Sequence, residues 1–284
     1  MSELTKRVLF AVAAIPVVAA AVWYGGAALA TLLAIAAALA AWEYGRLAEA
    51  AGQRPMTGWL IGLAALLPLA TFAVHLGLWV PPLPVVALLA PLLLTVAMWT
   101  RGVEGRPLEA TAVTLFGAWY TGGMLAFAFA LRYHRFAIGP LAGTLLLMLP
   151  LVITWLNDAG AFFVGKRFGR TKLMPSVSPG KTQAGAVGAL LTSLVGTWAY
   201  VFFLLAPRAQ LGLSWAGVLI LGTALSVAAQ VGDLSESLLK LQAGVKDSSH
   251  LIPGHGGVLD RVDSLLFTIP LGYVLLDVLL KVGA

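Results

Sequence analysis

The sequence lacks cysteine and is poor in charge. Without cysteine among its 284 residues there are no disulfides, no thiolate nucleophile and no Cys-ligated zinc. Charged residues make up 11% of the chain, against about 25% in an ordinary soluble domain. A larger soluble core does not explain the deficit, because apolar runs of membrane-spanning length recur from end to end. No internal repeat is evident, which weighs against an inverted-repeat transporter. What stands in place of charge is a 60% hydrophobic composition with mean hydropathy +0.92. The chain reads as an integral membrane protein. Its net charge of +6 then reports topology and contact with membrane lipids, not nucleic acid.

The hydrophobic runs predict an all-α, polytopic fold with about nine transmembrane helices. They fall near residues 8–24, 27–42, 58–79, 84–100, 109–131, 137–156, 184–206, 214–232 and 264–282. The first follows Lys6 and Arg7 and is expected to be a retained span, not a cleaved signal. Gly25-Gly26 and Pro81-Pro82 punctuate the early runs. Residues 1–136 read as scaffold, where Glu43 and Arg46 at a span end are expected to anchor or snorkel. Residues 137–284 read as the catalytic region, with long loops at 157–183 and 233–263.

Basic residues are distributed unevenly. Of the 18 Lys and Arg, 14 fall on one set of loops, 1–7, 43–57, 101–108, 157–183 and 233–263. That asymmetry places this set in the cytoplasm. Arg132, Arg135, Arg208 and Lys281 lie on the other side, and the RYHR stretch Arg132–Arg135 runs against the trend.

The unusual chemistry collects in the two long loops. In GDLSESLLK, Asp233, Glu236, Ser237 and Lys240 share a face if the eighth helix continues. A solvated helix end is the plain alternative, but ionisable residues next to a span normally persist because they line a polar cavity. In KDSSHLIPGHGGVLDRVD, Pro253-Gly254 and Gly256-Gly257 let the backbone turn tightly and approach a ligand. Asp260 and Asp263, three apart, would repel one another on a helix unless a cation lies between them. Oxygen ligands without cysteine suit Mg²⁺ or Mn²⁺. His250 and His255 have a poor zinc spacing and read as loop hydrogen-bonders. The segment Asn157–Gly185 adds Asp158, five basic side chains and SPGKT. A P-loop is excluded there, since Pro175 stands where its first glycine belongs and no strand pattern precedes it. A basic, glycine-bearing loop beside acidic metal ligands suits a polyphosphate. These features predict a membrane enzyme whose polar, cytoplasm-facing cavity handles a phosphate-rich substrate with a divalent metal.

Beyond that point the sequence resembles a known family. SLLKLQAGVKDSSHLIPGHGGVLDRVD, Ser237 to Asp263, is similar to the signature of the phosphatidate cytidylyltransferases, and NDAGAFFVGKRFG, VSPGKT and QVGDLSES resemble further family segments in the same order. The resemblance spans roughly residues 150–270. It implies transfer of CMP from CTP to phosphatidic acid, giving CDP-diacylglycerol and pyrophosphate in phospholipid biosynthesis. It implies Mg²⁺ and a second cation, with Asp233 and Asp260 as principal ligands and Asp247 and Asp263 close by. Lys181, Lys246 and Arg261 would neutralise phosphates, while Ser178, Thr182, Ser237 and His255 would hydrogen-bond phosphate or metal-bound water. Asp158, Lys240, Gly256 and Gly257 complete the expected substrate-binding set. A homodimer in a bacterial inner membrane is also implied. Two positions depart from the family pattern: Leu241 replaces an Arg and Ala184 replaces a Glu. The rival readings are a cation-coupled transporter and a related CTP-dependent enzyme acting on another lipid.

Overall fold

A chain this apolar has few ways to satisfy its backbone in hydrocarbon, and the helix is the local solution because every N–H finds a carbonyl within the same segment. The computed structural model describes residues 3–252 and 256–282, without the side chains of residues 3–11, 13, 281 and 282. Its helices are α1 (Glu3–Tyr24), α2 (Gly26–Ala50), α3 (Thr57–His75), α4 (Leu83–Arg101), α5 (Pro107–Arg132), α6 (Gly139–Phe168), α7 (Gln183–Ala209), α8 (Trp215–Gln242) and α9 (Leu259–Leu279). Helices α2 to α9 are eight helices long and apolar enough to cross a membrane; in α1 the stretch Ala14–Tyr24 is a shorter apolar helix. Two small antiparallel pairs complete the secondary structure, β1 (Lys172–Met174) with β2 (Ser178–Thr182) and β3 (Leu211–Gly212) with β4 (Lys281–Val282). The protein is an all-α polytopic membrane protein.

Three helices overrun the apolar runs that announce them. α2 continues to Ala50, α6 to Phe168 and α8 to Gln242. The expected loops 157–183 and 233–263 are therefore helical through 168 and 242. Polarity does not end a helix; missing backbone partners or a breaker does. Gly169 closes α6, and Gly244, at φ +69°, follows the end of α8.

The described chain divides into two compact units that interleave along the sequence. One comprises residues 1–18, 26–126 and 239–261, and the other residues 19–25, 127–238 and 262–284. In the first, α2, α3 and α5 pack closely. A Cβ on Gly117 would lie 2.3 Å from the Tyr44 ring, and one on Gly122 would lie 2.1 Å from the Ala64 carbonyl oxygen. Gly122 sits in a π-helical turn, Trp119–Gly123, within α5.

In the second unit, α6 and α7 approach through glycine. A Cβ on Gly160 would meet Thr192 Oγ1 at 2.1 Å and the Gly188 carbonyl at 2.8 Å, and one on Gly188 would meet the Val164 Cβ at 2.5 Å. Small residues let helices in a membrane pack backbone to backbone. The glycines of NDAGAFFVGK, expected in a basic loop, thus lie in a continuous helix, where Gly160 forms a packing surface.

The RYHR anomaly also has a structural use in this unit. Arg132 is buried and donates from Nε to Val22 O at 2.7 Å and from an Nη to Trp23 O at 2.8 Å. Its guanidinium satisfies carbonyls that the end of α1 would leave without partners. Arg135 pairs with Asp277 at 2.7 Å, and the buried His134 lies 3.5 Å from the same carboxylate. Burial pushes the His134 imidazole below its ordinary 6.5; Asp277 opposes that and Arg135 adds to it.

Two outcomes follow for purified protein in detergent. Gly160→Val is expected to cost about 1–3 kcal/mol through overpacking, seen as a lower Tm, whereas Gly62→Ala, with nothing within 4 Å of its Cβ, leaves Tm unchanged or raises it. The lowered His134 pKa means that the unfolded chain binds the proton more readily. Stability from this group is present above pH 6.5 and is lost as pH falls through the folded value. Thermal scans across that window should show the loss, and His134→Asn should flatten it.

Candidate active site

The second unit holds a cavity of about 410 Å³. Its polar lining comes from the end of α6 (Asn157, Asp158 and Lys166), the β2 strand and its exit (Lys181 and Thr182), and α8 (Gln230 and Asp233). Each donor is placed by simple local means. The hairpin pairs Lys172 with Thr182 and Met174 with Ser178, so SPGKT runs as an extended strand. Thr182 then caps α7, its hydroxyl accepting from Gly185 N at 3.1 Å. Thr171 O accepts from Gln183 N at 3.0 Å. Two of the first-turn amides of α7 are therefore already engaged, and the cationic groups lining the cavity are Lys166 and Lys181.

Lys181 Nζ lies 2.8 Å from Asp233 Oδ2, and the Asp233 side chain is 41% exposed. Behind them runs a buried polar chain. Asn157 Oδ1 accepts from Ser226 Oγ at 2.8 Å and Ser193 Oγ at 3.3 Å, and Gln230 Nε2 donates to Ser226 Oγ at 3.2 Å. With its oxygen occupied, the Asn157 amide group is turned so that Nδ2 lies 3.5 Å from Asp158 Oδ1. Such a network fixes orientation because an unpaired buried amide would be costly.

The first unit holds residues 239–261 of the signature stretch. Asp260, with a side chain 5% exposed, accepts from Lys240 Nζ at 2.7 Å through Oδ1. Its Oδ2 accepts from Ser248 N at 3.0 Å, Ser248 Oγ at 2.8 Å and Gly257 N at 2.8 Å. Lys240 is on the same helical face as Asp233, because α8 does continue to Gln242. Glu43, expected from its place at a span end to anchor or snorkel, does not snorkel: it is fully buried and accepts hydrogen bonds from Ser248, Ser249, Val258 and Leu259. Only its position at the end of an apolar run marked it in the sequence.

The expected site residues fall into three groups. Asp158, Lys181, Thr182 and Asp233 line the cavity. Lys240, Gly257 and Asp260 form the hydrogen-bonded cluster, with Gly256 at φ +81° beside it; this left-handed backbone explains the glycine. Asp247 is exposed and borders this cluster, since a Cβ on Gly256 would lie 3.7 Å from its Cβ. Of the rest, Lys246 and Arg261 are exposed, Ser178 and Ser237 are half-buried, and Asp263 accepts from Ser264 N at 2.6 Å. His255 lies outside the described residues. Among the described residues, no three His, Asp or Glu side chains gather into a ready-made ion site. Asp158 and Asp233, which both line the cavity, have the donor chemistry that suits Mg²⁺, which usually takes one or two carboxylates and completes its shell with waters and substrate phosphates. Asp260, already holding four donors, fits an ion only after Lys240 or Ser248 lets go.

Comparison with known proteins gives the kinship of the chain. It aligns with the phosphatidate cytidylyltransferase of Pseudomonas aeruginosa at 36% identity over 96% of this chain and 97% of that protein. The Synechocystis phosphatidate cytidylyltransferase aligns at 32% identity over 98% of both. A shorter alignment with the Haemophilus influenzae phosphatidate cytidylyltransferase reaches 44% identity over 49% of this chain, spanning about half the length of that relative. A family model described as the cytidylyltransferase family matches residues 5–279. With a match that runs through both units and nearly the whole sequence, this chain belongs to the cytidylyltransferase family.

Proposed function

We propose that the chain is a phosphatidate cytidylyltransferase of phospholipid biosynthesis, transferring CMP from CTP to phosphatidic acid. Two relatives bearing that name align from end to end. In the structure, the observation that carries the reading is the Lys181–Asp233 pair on the wall of a cavity that also bears Asp158 and Lys166. An anionic nucleophile, an anionic leaving group and their metal need both signs of charge in one place. The excess of Lys and Arg on one set of loops supports a cavity open to the cytoplasm, where CTP arrives from water and the lipid phosphate from the bilayer.

In the reaction, an oxygen of the lipid phosphate attacks the α-phosphorus of CTP. The bond to that phosphorus forms as the α–β bridging P–O bond breaks, and pyrophosphate departs with the electron pair. The nucleophile is already an anion, so alignment and charge neutralisation matter more than a general base. Mg²⁺ held by Asp158 and Asp233 would offset charge on the phosphates. Lys181 exchanges its contact with Asp233 for a phosphate oxygen, and Lys166 meets a second phosphate. Asn157, held by Ser193 and Ser226, keeps Asp158 oriented toward the cavity.

Purified protein in detergent, given phosphatidic acid, Mg²⁺ and each of the four NTPs, is expected to release pyrophosphate only when CTP and phosphatidic acid are both present. Release without lipid, or none from well-folded protein, overturns the assignment. Asp233→Asn and Lys181→Met should each lower kcat roughly 100-fold or more, as loss of a charge-stabilising group does elsewhere, with Tm little changed. Wild-type turnover in either variant removes that residue from the site. Asp260→Asn is expected to be nearly inactive and to lose the Lys240 contact as well.

A further inference from the structure

Glu43 is a carboxylate on α2 with no exposed surface. Its Oε1 accepts from Ser249 Oγ at 2.6 Å and Val258 N at 2.9 Å. Its Oε2 accepts from Ser248 Oγ at 3.1 Å and Leu259 N at 2.6 Å. The two oxygens thus tie Ser248 and Ser249 to Val258 and Leu259, residues more than 200 positions from Glu43 in the sequence. The turn is cut to fit. A Cβ on Gly257 would lie 2.1 Å from Ser248 Oγ and 2.5 Å from each Glu43 oxygen, so no larger residue fits there without displacing the carboxylate.

We infer that Glu43 is a positioning residue for the reaction: it clamps the turn that presents Asp260. It touches neither substrate nor ion and acts through residues 248 and 257–259, which supply three donors to Asp260 Oδ2. Ser248 links the two carboxylates directly, with its hydroxyl 2.8 Å from Asp260 and 3.1 Å from Glu43. A hydroxyl has one proton to donate, so Ser248 serves one carboxylate at a time. When Asp260 exchanges that donor for a cation or a substrate partner, rotation of the Ser248 hydroxyl redirects its hydrogen bond to Glu43. The turn keeps its anchor while Asp260 changes partners. The effect on turnover rests on the cytidylyltransferase reading; the effect on the turn does not.

Glu43→Gln separates these cases, because it keeps shape and one acceptor oxygen. Whichever way the amide points, its NH₂ faces one serine hydroxyl and one backbone N–H. The hydroxyl can turn to accept, but Val258 N–H or Leu259 N–H cannot. The measurements are hydrogen exchange over residues 256–260, steady-state kinetics with CTP and phosphatidic acid, and Tm, all on the full chain in detergent. The expected result is roughly tenfold or faster exchange at Val258 or Leu259, the consequence of one lost buried hydrogen bond. It should be accompanied by a kcat lowered about tenfold to 100-fold, a KM for CTP within about threefold of wild type, and a Tm within a few degrees. Wild-type exchange at both amides overturns the clamp. Faster exchange with unchanged kcat overturns the link to the reaction. If the wild-type protein itself transfers no CMP, the functional reading fails while exchange still decides the clamp. Should Glu43→Gln fail to fold, Ser249→Ala removes one donor from the rim of the turn. It is expected to shift exchange and kcat in the same direction by about threefold, and no shift in either overturns the proposal.

Discussion

Every buried charge in this protein must be met by a fixed partner, because hydrocarbon offers no water to meet it. That constraint organises both units. Glu43 is surrounded by two hydroxyls and two amides, Asp260 by a lysine, two amides and a hydroxyl, and Arg132 by helix-end carbonyls. Asp233 is the partial exception. It is 41% exposed and bound to one lysine, which leaves its carboxylate able to change partners. A saturated carboxylate holds its surroundings in place, whereas an open one still faces the cavity.

Close packing does the complementary work. Gly160 and Gly188 bring α6 and α7 close enough that no side chain fits between their backbones. Asn157, three residues before Gly160 on α6, is then within reach of Ser193 on α7 and Ser226 on α8. The buried polar chain exists because the glycines remove the side chains that would hold these helices apart. Thr154 on α6 and Thr268 on α9 meet hydroxyl to hydroxyl at 3.0 Å on the same principle.

Much of this was readable from residue order. The i, i+3, i+4, i+7 spacing puts Asp233, Glu236, Ser237 and Lys240 on one face if α8 outlasts its apolar run, and it does. The punctuation at Gly25-Gly26 is real: both residues have positive φ, and a Cβ on Gly25 would strike the Tyr133 hydroxyl. Other features were illegible for definite reasons. Glu43 and Arg46 look alike in sequence, both polar at the end of an apolar run. Yet Arg46 is exposed, with its guanidinium 5.3 Å from the Trp42 ring, and Glu43 is sealed. Lys240 and Asp260 are twenty residues apart on different elements, so no periodicity links them. The glycines of NDAGAFFVGK look like loop residues because packing between helices leaves no mark distinct from flexibility.

The amino-acid order by itself determined the solvent in which this protein folds, its helical class, the approximate places of its spans and the chemical class of its polar segments. Those properties depend on composition and on periods of a few residues, which a linear string records. Only the tertiary structure decided which carboxylates are saturated and which are open, that SPGKT ends as a helix cap beside a lysine–aspartate pair, and that a glutamate in the second helix holds the signature turn. These depend on distances between residues far apart in the chain, and such distances are set by how helices pack.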